Sequence, residues 1–375
     1  MERVISEAVA LLARGRERYD RAAESQCAAF HHEPTRQPLL LSAPLCGSQL
    51  DLPSFNYLEI HNDREKMMIS ELRVALAAMN GGREAVPSLR ANMGCGIVPS
   101  LFGVLPRLFA DKMPWVKEHL PKGLLVEMKP DDLKITPEFQ MALDHMDYMR
   151  ERLSGSGVRI YPVDIQGAFD TAHIVLGDDI FYQMYDDPDF VHHLLDLSCH
   201  AIALALRECR ARMPGSEREM PHYNALVIPR DLGGLKLSED TPTLLSRAQI
   251  EEFVVPYMRR ALREAGGGYV HYCGRNPHLY EAVMNEPLAH ALNFGNPEKH
   301  DMAQVLRDCA ARGKLYYGGV AQKSGALDGN EIARLLRASR ADGRLHLLLA
   351  HSCPCDEAER VGDQWDQAVE DALSD

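Results

Sequence analysis

The amino-acid sequence predicts an α/β fold, a (β/α)8 TIM barrel with an N-terminal helical extension. Strand-like and helix-like patterns alternate along the 375 residues, and this alternation is typical of a parallel sheet. There are about eight strand–helix units, the number in a closed barrel. No Gly-x-Gly-x-x-Gly turn follows the first strand, which disfavours a doubly wound sheet.

Composition excludes several classes of function. Hydrophobic residues make up 46% of the chain and charged residues 25%, as in a soluble domain with a large core. A net charge of −13 without a prominent basic cluster argues against nucleic acids and anionic membranes as partners. No apolar run approaches the ~20 residues that span a bilayer. We expect a cytoplasmic protein whose nine cysteines are reduced.

The elements follow in order along the chain. A helix extends to about residue 29 and belongs to an N-terminal helical extension, residues 1–36; the barrel occupies residues 37–375. The predicted strands are 37–42, 87–92, 158–164, 222–228, 268–273, 289–294, 314–319 and 345–350. The predicted helices are 55–80, 136–154, 178–209, 247–265, 277–285, 302–311, 331–339 and 357–373, several with proline near the start or glycine after the end.

The fifth strand ends in a pattern suited to metal binding. His271 and Cys273 are two residues apart, so both side chains project from one face of the strand, while Val270 and Tyr272 project from the other. An imidazole and a thiol are typical zinc ligands. Both lie at the carboxyl end of a strand, where barrel enzymes carry their working groups.

A third soft ligand is available after the last strand. Cys353 and Cys355 lie in the polar segment Ser-Cys-Pro-Cys-Asp. Cys353 is nearer to the strand and is the preferred ligand, with Cys355 as the alternative. The sequence therefore predicts a zinc site formed by His271, Cys273 and Cys353.

Other polar residues at strand ends are candidates for substrate binding. Asn92 ends the second strand, Gln166 follows the third, and Glu239 and Asp240 form an adjacent acidic pair before the fifth. This pair is also a candidate for a fourth, displaceable metal ligand or a proton acceptor.

Two thiolates and one neutral imidazole would form an electron-rich zinc site with an open fourth position. Zinc lowers the pKa of a bound thiol, so that a nucleophilic thiolate is available near neutral pH. Such a site favours alkyl transfer to a thiol. Activation of water for hydrolysis is the alternative, but hydrolytic zinc sites more often use carboxylate ligands.

Several segments together resemble a known family. They are Val-Asp-Ile-Gln-Gly-Ala-Phe at 163–169, Tyr-Asp-Asp-Pro at 185–188, Leu-Ser at 245–246, Phe-Val-Val-Pro-Tyr at 253–257, His-Tyr-Cys-Gly at 271–274 and the late Cys353. Residues 85 to 375 resemble the uroporphyrinogen decarboxylase superfamily, and within it the zinc- and corrinoid-dependent methyltransferases, such as methylcobamide:coenzyme M methyltransferases. The resemblance implies that zinc binds His271, Cys273 and Cys353. It also implies methyl transfer to or from methylcobalamin carried by a partner protein.

The sequence departs from the family at three places. The arginine-containing Arg-Gln-Ala-Gly-Arg segment of the decarboxylases is missing; Ala-Pro-Leu-Cys at 43–46 follows the first strand instead. The late cysteine lies in Ser-Cys-Pro-Cys rather than in a Gly-Cys-Gly type sequence. The chain lacks an Asp-x-His-x-x-Gly corrinoid motif, so the cobalamin must arrive on a separate corrinoid protein.

Two other functions remain open alternatives. One is decarboxylation of a tetrapyrrole, which would need a cluster of arginines. The other is a non-catalytic barrel whose zinc is structural and fully ligated by protein. A small thiol or folate is expected as methyl acceptor or donor, and a homodimer is allowed.

Overall fold

The computed structural model describes residues 1–33, 35–47, 50–320 and 327–374. Eight parallel strands follow one another along the chain, and each is followed by at least one helix. They are β1 (Leu39–Ser42), β2 (Ser88–Leu89), β3 (Arg159–Ile160), β4 (Leu235–Ser238), β5 (Gly268–Tyr272), β6 (Ala289–Phe294), β7 (Leu315–Gly318) and β8 (Leu347–Ser352).

Six of these strands form one continuous parallel sheet, in the order β1-β8-β7-β6-β5-β4. β2 and β3 form a separate parallel pair. A single parallel bridge between Gln166 and Ser238 connects the segment after β3 to β4. Among the described residues no ladder joins β1 to β2. A TIM-like α/β fold with a parallel sheet is confirmed, but closure of the predicted (β/α)8 barrel is not seen in the hydrogen bonds of the described residues.

The helices surround this sheet and largely match the predicted helical segments. Their bounds are Glu2–Ala13, Arg16–Phe30, Tyr57–Asn62, Arg64–Gly81, Lys122–Leu125, Pro137–Arg152, Ala168–Leu176, Asp179–Asp186, Pro188–Arg210, Arg247–Gln249, Val255–Ala265, Pro277–Asn285, Met302–Ala311, Gly329–Ala338 and Ala358–Ser374. A π-helical turn, Ile250–Val254, joins two of them. No described helix combines the length and the apolar character needed to cross a bilayer.

The prediction of the fourth strand was wrong. Residues 222–228, predicted as that strand, lie instead in an antiparallel hairpin of Glu219–Pro221 and Val227–Pro229. Between the two arms, Asn224 and Ala225 adopt positive φ angles of 53° and 61°, which reverses the chain. The fourth parallel strand is β4, which lies between the predicted strand 222–228 and the predicted helix 247–265.

The pattern of β4 explains why it was missed. It has four residues, Leu-Lys-Leu-Ser, too few for a strong alternating signal. Leu235 and Leu237 are buried apolar residues of the main core, whereas Lys236 pairs with the carboxylate of Asp164. A lysine between the two leucines interrupts the continuous apolar run that is typical of a buried parallel strand.

The hairpin packs against one face of the parallel sheet. Its Leu226 and Ile228 pack with Ala29 and Phe30 of the second N-terminal helix and with Tyr269 of β5. The buried Gln26 side chain fastens the helix to the hairpin: its amide nitrogen donates to the carbonyls of Glu84 and Ala225, and its oxygen accepts from the amide of Val227. The two N-terminal helices lie within the predicted extension, residues 1–36.

Two buried histidines make the stability of the fold depend on pH: His222 lies in the hairpin and His145 on the helix Pro137–Arg152. Burial lowers the pKa of His145 to about 4 and that of His222 to about 3. In the unfolded chain both titrate near 6.5. Below about pH 6.5 the unfolded state therefore binds more protons than the folded state. The stabilisation by the two neutral rings is lost as the pH falls toward the pKa values that the histidines have in the folded state.

We expect His145→Gln to remove part of this pH dependence. Between pH 7 and 5, the free energy of unfolding of the wild type should fall relative to that of the variant, at most about 1.4 kcal/mol per pH unit for one histidine. Urea titrations at pH 7, 6 and 5 measure the difference. His278→Gln, outside the core, is the matched control. Parallel curves for the wild type and His145→Gln would contradict the prediction.

Candidate metal centre

Three potential metal ligands meet at the carboxyl ends of β4 and β5. Ligand atoms of Asp240, His271 and Cys273 all lie within 4.8 Å of one another, and no other group of three or more such residues was found in the described part of the chain. The Cys273 sulfur is 3.7 Å from Nε2 of His271, and that nitrogen is 3.9 Å from Oδ1 of Asp240. We call this group the His-Cys-Asp cluster.

The distance between the nitrogen and sulfur donors of the cluster fits zinc. Zinc–nitrogen and zinc–sulfur bonds in a tetrahedral site place the two donor atoms about 3.5 Å apart, close to the observed nitrogen–sulfur distance. Strand pairing accounts for the arrangement: in the parallel register, His271 of β5 lies opposite Ser238 of β4 and Asn293 of β6. Asp240 follows Ser238 by two residues and so reaches the same edge of the sheet.

Asn293 on β6 orients the histidine. Its side-chain nitrogen donates to the carbonyl of Tyr317 at 2.6 Å, so its oxygen faces the ring and accepts a hydrogen bond from Nδ1 of His271. The proton is thereby held on Nδ1, and Nε2 presents a lone pair to Cys273 and Asp240. Asn293 was not predicted from the sequence. The feature that could have indicated it is a polar residue near the carboxyl end of the mostly apolar strand Ala-His-Ala-Leu-Asn-Phe.

A glycine on the same strand end accommodates the thiol. A Cβ atom at Gly295 would collide with the sulfur of Cys273 and approach Cε1 of His271 to 3.4 Å. The amide of Gly295 donates to the carbonyl of Tyr272 at 3.0 Å. The absence of a side chain at 295 therefore leaves the space that Cys273 occupies.

The two soft donors of the cluster differ in protonation: the imidazole is ready to bind a metal, whereas the thiol must first lose its proton. Burial and the nearby Lys236 lower the pKa of His271, which keeps the imidazole neutral. Burial and the carboxylate of Asp240 raise the pKa of Cys273 to about 11, so the thiol holds its proton until a cation displaces it. The amide of Cys273 donates to Asp240 at 2.5 Å, which positions the carboxylate beside the sulfur.

A central cavity of about 400 Å³ lies beside the cluster. Its polar lining includes Arg90, Asp164, Lys236, His271 and Asn293, and its aromatic lining includes Tyr161, Tyr269 and Tyr317. Lys236 donates to Asp164 at 2.8 Å, and Arg90 is 3.5 Å from the same carboxylate. Although burial opposes it, these two cations lower the pKa of Asp164.

Cations are prominent in this charged group. Arg90 and Lys236 both pair with Asp164, and the buried carboxyl group of Glu71, whose pKa is raised by burial, also interacts with Arg90. Nε of Arg90 is buried and makes no hydrogen bond within the described structure. An anionic group on a small molecule would find two cationic partners here.

The other predicted substrate-binding residues are placed differently. Asn92 accepts a hydrogen bond from Arg90 at 2.9 Å and donates to Glu71 at 3.2 Å, and it lines a separate pocket with Glu71 and His61. Gln166 is buried and does not line the central cavity.

Glu239 is buried next to the edge of the sheet that carries the His-Cys-Asp cluster. Its Oε2 has no partner in the described part of the chain, and its carboxyl group lies against Gly167. Burial and the carboxylates of Asp170 and Asp240 raise its pKa well above the usual value. We therefore expect Glu239 to be protonated near neutral pH.

Neither late cysteine lies in the His-Cys-Asp cluster. Cys353 is 2% exposed and packs in the main core with Leu347 and Leu349. Its amide donates to the carbonyl of Ser42 at 3.1 Å. Burial raises the pKa of its thiol.

Cys355 forms a disulfide with Cys46. The segments carrying these two cysteines follow β8 and β1, which are adjacent strands, and their Cα atoms are 5.5 Å apart. The prediction that all nine cysteines are reduced is therefore wrong for this pair. With a sequence separation of 309, no local pattern could indicate the pairing.

Comparisons with known proteins bear on the fold. No protein-family profile matches the chain, and no curated protein sequence matches it. One solved structure, a methyltransferase from Methanosarcina mazei, is similar with a TM-score of 0.66 and 14% sequence identity. The similarity covers 92% of this chain and 98% of that one. At this identity, the similarity establishes a shared fold.

We expect Asn293→Ala to weaken zinc binding about 10- to 100-fold, because the imidazole loses its orienting acceptor. A competition titration with a chromophoric chelator measures the affinity. Asn296→Ala is the matched control, since Asn296 bonds the amide of Gly274 and the carboxylate of Glu298 but not His271. Equal affinities for the two variants would argue against the orienting role of Asn293.

Proposed function

We propose that the chain is a zinc-dependent methyltransferase that moves a methyl group between a corrinoid (cobalamin) protein and a small thiol or folate. The observation that supports this most strongly is an oriented imidazole beside a thiol at the carboxyl edge of a parallel TIM-like sheet. A solved structure with the same fold is named a methyltransferase, which agrees with the proposal.

His271 and Cys273 would hold the zinc. The resemblance implies Cys353 as the third ligand, whereas Asp240 is the third donor that the geometry offers. Ligation by Cys353 would require residues 353–355 to move, against the burial of Cys353 and the disulfide at Cys355. When bound, zinc would lower the pKa of a substrate thiol and keep a thiolate available near neutral pH.

The chain's own residues would bind and orient the small substrate. The central cavity is next to His271, and Arg90 and Lys236 place two cations in its lining. We propose that an anionic end of the substrate pairs with these cations while its reactive end faces the His-Cys-Asp cluster. The three tyrosines of the cavity would exclude water from that path.

The methyl group would arrive on, or leave with, a corrinoid protein. The His-Cys-Asp cluster lies at the carboxyl edge of the sheet, and Cys273 is exposed there. This exposure would allow a large partner to approach the reacting atoms from outside.

We expect purified protein to bind about one zinc ion per chain. Cys273→Ser should lower the affinity by at least about tenfold, because a thiolate donor is lost. Metal analysis and chelator competition on Cys273→Ser, Asp240→Asn and Cys353→Ser measure the zinc affinity of each variant. The third ligand is Asp240 if Asp240→Asn also loses affinity, and Cys353 if Cys353→Ser does. Cys309→Ser, a buried cysteine outside the cluster, is the control. No zinc in either the wild type or Cys273→Ser would contradict a zinc site.

We expect zinc-loaded protein to demethylate methylcobalamin in the presence of a suitable acceptor. The absorbance change of the corrin, followed against a panel of thiols and folates, measures the reaction. His271→Gln should abolish it. Bound zinc without turnover on any acceptor would instead support a structural metal, and decarboxylation of a tetrapyrrole in a parallel assay would support the decarboxylase alternative.

A further inference from the structure

A second cavity, of about 230 Å³, lies between the helices Pro188–Arg210 and Val255–Ala265. Its lining is mostly apolar: Ile202, Ala203, Leu206, Leu235, Ala261 and Ala265. Three charged residues complete the lining, namely Arg207, Arg210 and Glu264. We call it the inter-helix cavity.

The cavity contains a cation without a counter-ion. Nη2 of Arg210 donates to the carbonyls of Gly233 at 2.9 Å and Ala265 at 3.4 Å. Arg230 donates from Nη1 to the same two carbonyls, each at 3.2 Å. Two guanidinium groups therefore converge on one pair of neutral acceptors, and no carboxylate lies within ion-pair distance of either among the residues the structure describes.

The other charged groups at the cavity do not neutralise Arg210. Glu264 accepts a hydrogen bond from Arg260 at 2.8 Å, and Arg207 lies 3.5 Å from Glu208. Nε of Arg210 is buried and has no hydrogen-bond partner in the described chain. Burial and the charge of Arg230 lower the pKa of Arg210 to about 10, which shows the same lack of compensation.

A partly buried, uncompensated charge is costly unless an anion pairs with it. The apolar walls next to Arg210 add a second requirement, because they gain free energy only when they cover an apolar group. A ligand that meets both requirements has a carboxylate at one end and an aliphatic body.

We propose that the inter-helix cavity binds an amphipathic carboxylate, such as a medium-chain fatty acid, with its carboxylate on Arg210 and its chain against Leu206 and Leu235. Arg230 supports the positive potential, and Arg207 lies at the exposed rim. The site is separate from the His-Cys-Asp cluster, and its occupation requires neither zinc nor methyl transfer.

The two cavities share part of one wall. Leu206 and Leu235 line both the inter-helix cavity and the central cavity. The aliphatic chain of a ligand in the inter-helix cavity would therefore lie against β4, the strand that carries Lys236.

Calorimetric titration of the full chain with octanoate tests the proposal. We expect saturable binding of one octanoate per chain and a higher melting temperature at saturation. Arg210→Gln should weaken binding about 10- to 100-fold, because a charge-assisted hydrogen bond is lost. Ala203→Leu, which fills the cavity and keeps every charge, should weaken it comparably and remains informative if Arg210→Gln folds poorly.

Arg212→Gln is the matched control, since Arg212 lies on the same stretch of chain but is already paired with Asp147 and Glu208. Octanol and inorganic phosphate distinguish the apolar and anionic contributions, and both should bind much more weakly than octanoate. Absence of octanoate binding, equal loss of binding in Arg210→Gln and Arg212→Gln, or phosphate binding as tight as that of octanoate would overturn the proposal.

Discussion

The candidate site depends on the parallel register of three strands. Ser238 of β4, His271 of β5 and Asn293 of β6 lie side by side across the sheet. This register places a carboxylate, an imidazole with its orienting amide, and a thiol at one edge. Because a shift of one residue along a strand would turn every side chain to the opposite face, the buried faces of these strands also hold the ligands in position.

Cationic and acidic side chains lie on different sides of this edge. Lys236 and Arg90 lie in the central cavity and pair with Asp164, whereas the acidic residues Asp170, Glu239 and Asp240 lie together beside the end of β4. Because Glu239 is expected to hold a proton, Asp240 is the carboxylate that would attract a cation, and the cavity would attract an anion. A metal and an anionic substrate would therefore occupy neighbouring positions without competing for the same groups.

The sequence predicted those features that depend on local pattern. Alternating segments identified most strands and helices, and the spacing of His271 and Cys273 predicted that they share a face and act together. The pattern was insufficient where tertiary context decides. β4 was missed because Lys236 points into a polar cavity, and Asn293 because its role is defined by a neighbouring strand. The disulfide of Cys46 with Cys355 depends on the adjacency of β1 and β8, which no local signal carries.

X-ray absorption spectroscopy at the zinc edge of the loaded protein shows directly which donor atoms surround the metal. We expect a four-coordinate shell with nitrogen or oxygen donors at about 2.0–2.1 Å and at least one sulfur at about 2.3 Å. Cys273→Ser should remove a sulfur from that shell. A shell of oxygen and nitrogen donors alone, unchanged in Cys273→Ser, would contradict a metal centre built on the end of β5.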